Sequence, residues 1–230
     1  MNAKGRFYKS VEAIVHPALR QDGFTGFGPT LRALVGDTVH IFSFQDRREG
    51  GSACVNMGVH PLFLPSPAGM KIESWESAEE YGCEFRQRLA PEGQVDHWWA
   101  YEGTSEELAT RAKEILNLYR SVGRSFYSKG NNVTGLLSSI SPADVSNGDL
   151  RHYPSRSTTV RAALTLARLC LHFGRPDSAV VFARVGLEKC GRAVGLEPEF
   201  RKIINGEPDA APNGGPAEPL GNSGVSGGPP

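Results

Sequence analysis

The spacing of hydrophobic residues changes several times along the chain, and each change predicts an element. Across residues 3–21, Phe7, Val11, Ile14, Val15, Ala18 and Leu19 recur at steps of three and four, which is the stripe of an amphipathic helix. Pro17 lies inside this stretch, and its missing N–H predicts a kink. Gly23 predicts the stop. With glycine just past the cap, Phe24 and Leu19 occupy the two positions whose side chains meet in a Schellman motif. Residues 30–35 and 38–46 then read as strands joined by the two-residue turn Gly36-Asp37. In residues 53–60, Val55, Met57 and Val59 alternate with Cys54, Asn56 and His60, the two-residue period of a third strand.

Residues 61–82, with Pro61, Pro65 and Pro67, are too long for a simple connection and are expected to hold one short helix near residues 74–81. Strand character returns in residues 83–89 and 96–101. Thr104 followed by Glu107 is a capping box, and the helix it opens, residues 104–127, carries an apolar stripe wide enough to cover a sheet. Residues 129–155 are rich in asparagine, serine, glycine and proline and read as a linker with one helical turn from Pro142. Beyond it, two helices over residues 157–173 and 176–194 meet at Gly174-Arg175, with Pro176 well placed at a helix start.

The expected fold is therefore α+β. An antiparallel sheet of four or five strands is backed by the N-terminal helix and the helix at 104–127, and a C-terminal helical hairpin follows. The expected division is an α+β domain over 1–130, a linker over 131–156, the hairpin with a short helix over 157–204, and a tail over 205–230. Half of that tail is glycine or proline, so it cannot bury enough apolar surface to offset chain entropy, and disorder is expected.

Composition narrows the functional classes. Lysine plus arginine and aspartate plus glutamate stand at 25 each, so no global field draws nucleic acid or an anionic membrane, and nucleic-acid binding is disfavoured. The opening residues never build the apolar core of a signal peptide, and no later run reaches membrane-spanning length, which points to the cytoplasm with no membrane partner. Cys54, Cys83, Cys170 and Cys190 lack the spacing of a disulfide framework or zinc site and are expected to be reduced. The six histidines form no ligand pair in sequence. His40, His60 and His97 could meet only across neighbouring strands, so neither a metal nor another cofactor is expected. Gly224-Val225-Ser226-Gly227-Gly228 matches a nucleophile elbow in letters alone, because no strand or helix flanks it.

Five fragments occur in order: Leu19-Arg20-Gln21-Asp22-Gly23-Phe24, Ile41-Phe42-Ser43-Phe44-Gln45, Val55-Asn56-Met57-Gly58-Val59, the run from Cys83 to Leu89, and Trp98-Trp99 before the capped helix. Together they resemble the domain of unknown function 4304 family over about residues 3–127. The resemblance implies an α+β domain of a bacterial protein and no particular reaction. The hairpin at 157–194 resembles a single tetratricopeptide unit through its small residues Ala167, Ala179 and Gly186, although Cys170 stands where a large aromatic is usual.

The candidate site consists of Gln45, Asn56, Arg86, Arg88, Trp98 and Trp99. The four polar members lie on predicted strands, where an unpaired arginine is costly to bury, so they are expected to face water or a partner, or to pair with Glu84 or Asp46. Arg86 and Arg88 share a face and could fork a carboxylate or phosphate. Trp98 and Trp99 point to opposite faces, so one needs other cover, expected beneath Leu62-Phe63-Leu64, or serves as an exposed anchor. The expected function is a non-catalytic protein-binding module of immunity or regulatory type, with self-association left open. The alternative is an enzyme holding a small anion on Arg86 and Arg88, with His40, His60 or Glu84 as acid or base.

Overall fold

In the computed structural model, which describes residues 1–207, the N-terminal stripe forms two helices, α1 (Ala3–Ile14) and α2 (His16–Gln21). The break falls at Val15, two residues before Pro17, so the proline sits in the first turn of α2, where its absent N–H costs nothing. The stop is the expected Schellman motif. Gly23 takes φ +87°, the Phe24 N–H donates to the Leu19 carbonyl at 3.0 Å, and the Gly23 N–H donates to that of Arg20 at 3.1 Å. Leu19 and Phe24 are both buried.

Strands β1 (Thr30–Val35), β2 (Thr38–Asp46) and β3 (Ser52–Pro61) form an antiparallel meander with Val35 opposite Thr38 across the Gly36-Asp37 turn. β4 (Phe85–Arg88) and β5 (Trp99–Ala100) share the other side of β3, giving five strands. β5 is much shorter than the expected strand over 96–101. One face carries Leu31, Phe42, Phe44, Val55, Met57, Val59, Phe85 and Trp99 into the main core. The capped helix covers that face as α3 (Ser105–Leu118), a π-helical turn (Tyr119–Gly123) and α4 (Arg124–Asn131). Both arms of its capping box are made, Glu107 N–H to Thr104 Oγ1 at 3.2 Å and Thr104 N–H to Glu107 Oε2 at 2.7 Å. Asp22 ties the end of α2 to this helix by accepting from Tyr119 Oη at 2.5 Å and bidentately from Arg124 at 2.8 and 3.0 Å.

The long connection folds back over the opposite face. Its expected short helix is two 3₁₀ turns, Trp75–Ser77 and Glu80–Gly82, which bring Ala78 and Cys83 onto Val39 and Ile41. Gly58 makes this approach feasible, because a Cβ there would sit 2.7 Å from Cys83 Sγ.

Residues 131–156 contain the expected turn as α6 (Pro142–Ser146), and also α5 (Val133–Ser139). The hairpin is α7 (Thr159–His172) and α8 (Pro176–Glu188), followed by α9 (Glu197–Asn205), whose Phe200 ring lies on the bare backbone of Gly186. These helices add buried side chains to the main core. The tail expected to be disordered, with its Ser226 motif, lies outside the described residues from 208 onward.

Glu84 joins the hairpin to the sheet. Its carboxylate, 2% exposed, accepts from Arg161 and Thr165 on α7. Truncating one partner of such a pair strands the other, so Glu84→Ala is expected to lower unfolding free energy in urea by about 3 kcal/mol. Glu84→Gln, which keeps an acceptor oxygen, is expected to cost less. A loss below about 1 kcal/mol for the alanine variant would mean that the pair behaves like a surface bridge.

Candidate functional site

The face of the sheet opposite the helices is divided in two. The folded-back connection covers the half around Val39 and Ile41, and the remaining half holds Gln45 of β2, Cys54 and Asn56 of β3, and Arg86 and Arg88 of β4. The register places Asn56 opposite Arg88 and Gly58 opposite Arg86, so the two arginines share that face as the two-residue period requires.

One connected set of hydrogen bonds organises this half. Gln45 Oε1 accepts from Asn56 Nδ2 at 2.8 Å and from Arg88 Nη2 at 3.2 Å. Arg88 Nη1 donates to Asp96 Oδ1 at 2.7 Å, and the other oxygen of Asp96 accepts from Trp98 Nε1 at 2.9 Å. The Trp98 ring has the guanidinium carbons of Arg88 and Arg47 at 5.0 and 5.5 Å from its centre, within cation–π range. Partial burial disfavours the Asp96 carboxylate, but hydrogen bonds from Trp98 and Arg88 outweigh it and hold the group below its ordinary range. This row of side chains from Gln45 and Asn56 through Arg88 and Asp96 to Trp98 and Arg47, the ridge, thus keeps its central anion through neutral and mildly acidic conditions.

Gln45, Asn56, Arg88 and Trp98 are therefore brought together. Arg86 stands at the edge of the group, held by Glu80 at 3.1 Å. Trp99 belongs elsewhere: its side chain enters the main core and donates to Glu114 at 3.1 Å. Three expectations about partners are corrected. Arg86 and Arg88 pair with Glu80 and Asp96, because Glu84 is taken by Arg161 and Asp46 accepts from Lys4, Tyr8 and Tyr101. Trp98 does not lie beneath Leu62-Phe63-Leu64, since Phe63 stacks on His172 of α7 and guanidinium groups flank the indole instead. His40 and His60 face opposite sides of the sheet, His40 stacking on Tyr127 of the helical layer.

The remaining acid–base candidates are engaged. His60 is fully buried; its Nδ1 accepts from the Glu84 N–H at 3.2 Å, so Nε2 carries the proton and donates to the Leu64 carbonyl at 3.0 Å. Burial holds its imidazole below the ordinary value. His97 lies 3.4 Å from Glu114. All four cysteines are free and buried, and desolvation pushes the Cys54 thiol up to about 11. Among the described residues no three histidine, cysteine or carboxylate side chains cluster as metal ligands, and no helix is long and apolar enough to cross a membrane.

A family model described as Domain of unknown function (DUF4304) matches residues 15–129. The chain belongs to this family. No curated protein and no solved structure matches it. The DUF4304 region spans α2, the whole sheet and nearly all of the capped helix, so the ridge lies inside it and α5 to α9 lie outside.

Sequence reasoning missed Arg47, Glu80 and Asp96. Asp96 carried a faint signal, a carboxylate two residues before an indole. Nothing local marked Arg47 or Glu80, whose roles depend on where the connections after β2 and β3 return.

His40 generates a pH prediction. Burial lowers its pKa from 6.5 to about 4, against a smaller opposing effect of the Asn131 side chain. Between those values the unfolded chain binds a proton that the folded chain does not, so the contribution is complete above pH 6.5 and is lost as pH falls towards 4. The window corresponds to about 3 kcal/mol at most. Urea denaturation should show wild type losing up to that amount more than His40→Phe between pH 7 and 4. Parallel losses would exclude His40 as the titrating group.

Proposed function

We propose that the protein is a non-catalytic protein-binding module of immunity or regulatory type, which engages its partner through the Trp98 ridge. The observation that carries this reading is the half-buried indole of Trp98, fixed by a hydrogen bond from its Nε1 to Asp96 and flanked by Arg47 and Arg88. Tryptophan and arginine dominate the energetic centres of protein interfaces. Side chains already restrained lose little further entropy on binding, so a partner gains most of the contact energy.

The charged groups support the same reading. Arg86 and Arg88 are each matched by one carboxylate and retain exposed surface, an arrangement that can exchange or extend its hydrogen bonds when a polar partner docks. A photo-crosslinking amino acid placed at Arg47, beside the indole, should capture a partner, and the purified pair should then be titrated by calorimetry. Trp98→Ala is expected to weaken that complex by at least about 2 kcal/mol, the scale of an interface hot spot, with the melting temperature nearly unchanged. Equal affinity of wild type and Trp98→Ala for the captured partner would remove the ridge from the interface.

A further inference from the structure

β4 is an edge strand, and its outer side opens on a trough of about 1250 Å³. Leu89 N–H donates to the Val55 carbonyl at 3.0 Å, so by antiparallel alternation Phe85 and Gln87 face β3 in the ladder. The backbone N–H and C=O groups of Arg86 and Arg88 consequently point outward, and among the described residues neither has a backbone partner on that side. An edge of this kind is a template for another strand unless something covers it. Here the neighbouring elements stand back and form walls: the helix between Leu118 and Lys129, and the segment 148–157.

The lining indicates what fits. Leu118 and Val122, both partly buried and packed on the main core, offer an apolar side. Lys129 and Arg156 also line the trough and form no ion pair among the described residues, whereas Glu92 is the single acidic side chain in the lining. We infer that this trough accepts an extended segment of a partner protein as an added strand on β4, a segment in which acidic and apolar side chains alternate. A strand there turns successive side chains to opposite faces, one row towards Arg86 and Arg88 and the other towards the apolar helix wall. A second copy of β4 fits poorly, because it would set these arginines against their own equivalents. This inference rests on the protein-binding reading, but it adds the neighbouring edge of β4, which shares Arg86 and Arg88 with the Trp98 cluster, and names the class of ligand.

The test uses the full chain. A random dodecapeptide library displayed on phage is selected on the protein, and the winning peptides are titrated by fluorescence polarisation. Selected peptides are expected to alternate acidic and apolar residues and to protect the amides of Arg86 and Arg88 from hydrogen exchange. Arg86→Pro deletes an outward N–H while sparing the ladder to β3, so it should weaken binding by about tenfold or more, and Arg86→Ala by clearly less. Lys129→Glu combined with Arg156→Glu should also weaken binding. Should Arg86→Pro fail to fold, the exchange protection measured on wild type decides.

The inference is overturned if no peptide is selected, if the winners carry no acidic bias, or if the amides of Arg86 and Arg88 stay unprotected. It is likewise overturned if Arg86→Pro, folded, binds as wild type does. Any of these results, with partner affinity still lost in Trp98→Ala, removes the trough and leaves the ridge. Failure at both sites removes protein recognition itself.

Discussion

Burial of β3 along its entire length is the constraint from which the rest of the structure follows. β2 closes one of its sides, β4 and β5 close the other, helices cover one face and the returning connection covers part of the opposite one. Val55, Met57 and Val59 meet the helices as any apolar row would. The other row, Asn56, Gly58 and His60, contains polar groups that lose water and must be bonded. Gln45 satisfies the amide of Asn56, the Leu64 carbonyl and the Glu84 N–H satisfy the imidazole of His60, and the bare backbone of Gly58 admits Cys83. The ridge and the folded-back connection are thus two solutions to one burial problem.

Charge follows from the same geometry. Each arginine on the sheet face has a carboxylate to itself, and the most buried carboxylate, Glu84, is reserved for the helical hairpin. Because Glu84 stands immediately before β4 and also donates its N–H to His60, hairpin, strand and connection share one polar junction. The pairs around Arg86 and Arg88 lie nearer solvent and contribute little to stability. Their effect is to fix the directions of guanidinium and indole groups.

Much of the fold was legible in the sequence because the signals are short-range. The Leu19 to Phe24 stop, the Gly36-Asp37 turn, the Thr104 to Glu107 cap and the alternation through β3 each involve residues a few positions apart, and each appears as its pattern implies. The shared face of Arg86 and Arg88 and the opposite directions of Trp98 and Trp99 were legible for the same reason. The break at Val15 and the truncation of β5 were harder to see. In the first case a proline terminates the preceding hydrogen bonds rather than bending a continuous helix. In the second, only Trp99 and Ala100 pair with β3, and residues 96–98 run outside the ladder, where the Asp96 side chain meets Arg88 and Trp98.

The sequence by itself determined most of the secondary elements, the strand register across the tight turn and the two faces of the sheet, since backbone sterics and side-chain periodicity act within a few residues. Only the tertiary structure decided which charges pair, what flanks Trp98 and where an edge stays open. Arg88 meets Gln45 across 43 positions and Arg161 meets Glu84 across 77. Such partners are selected by how layers stack, and many carboxylates of equal local standing compete for each arginine until packing brings one within reach.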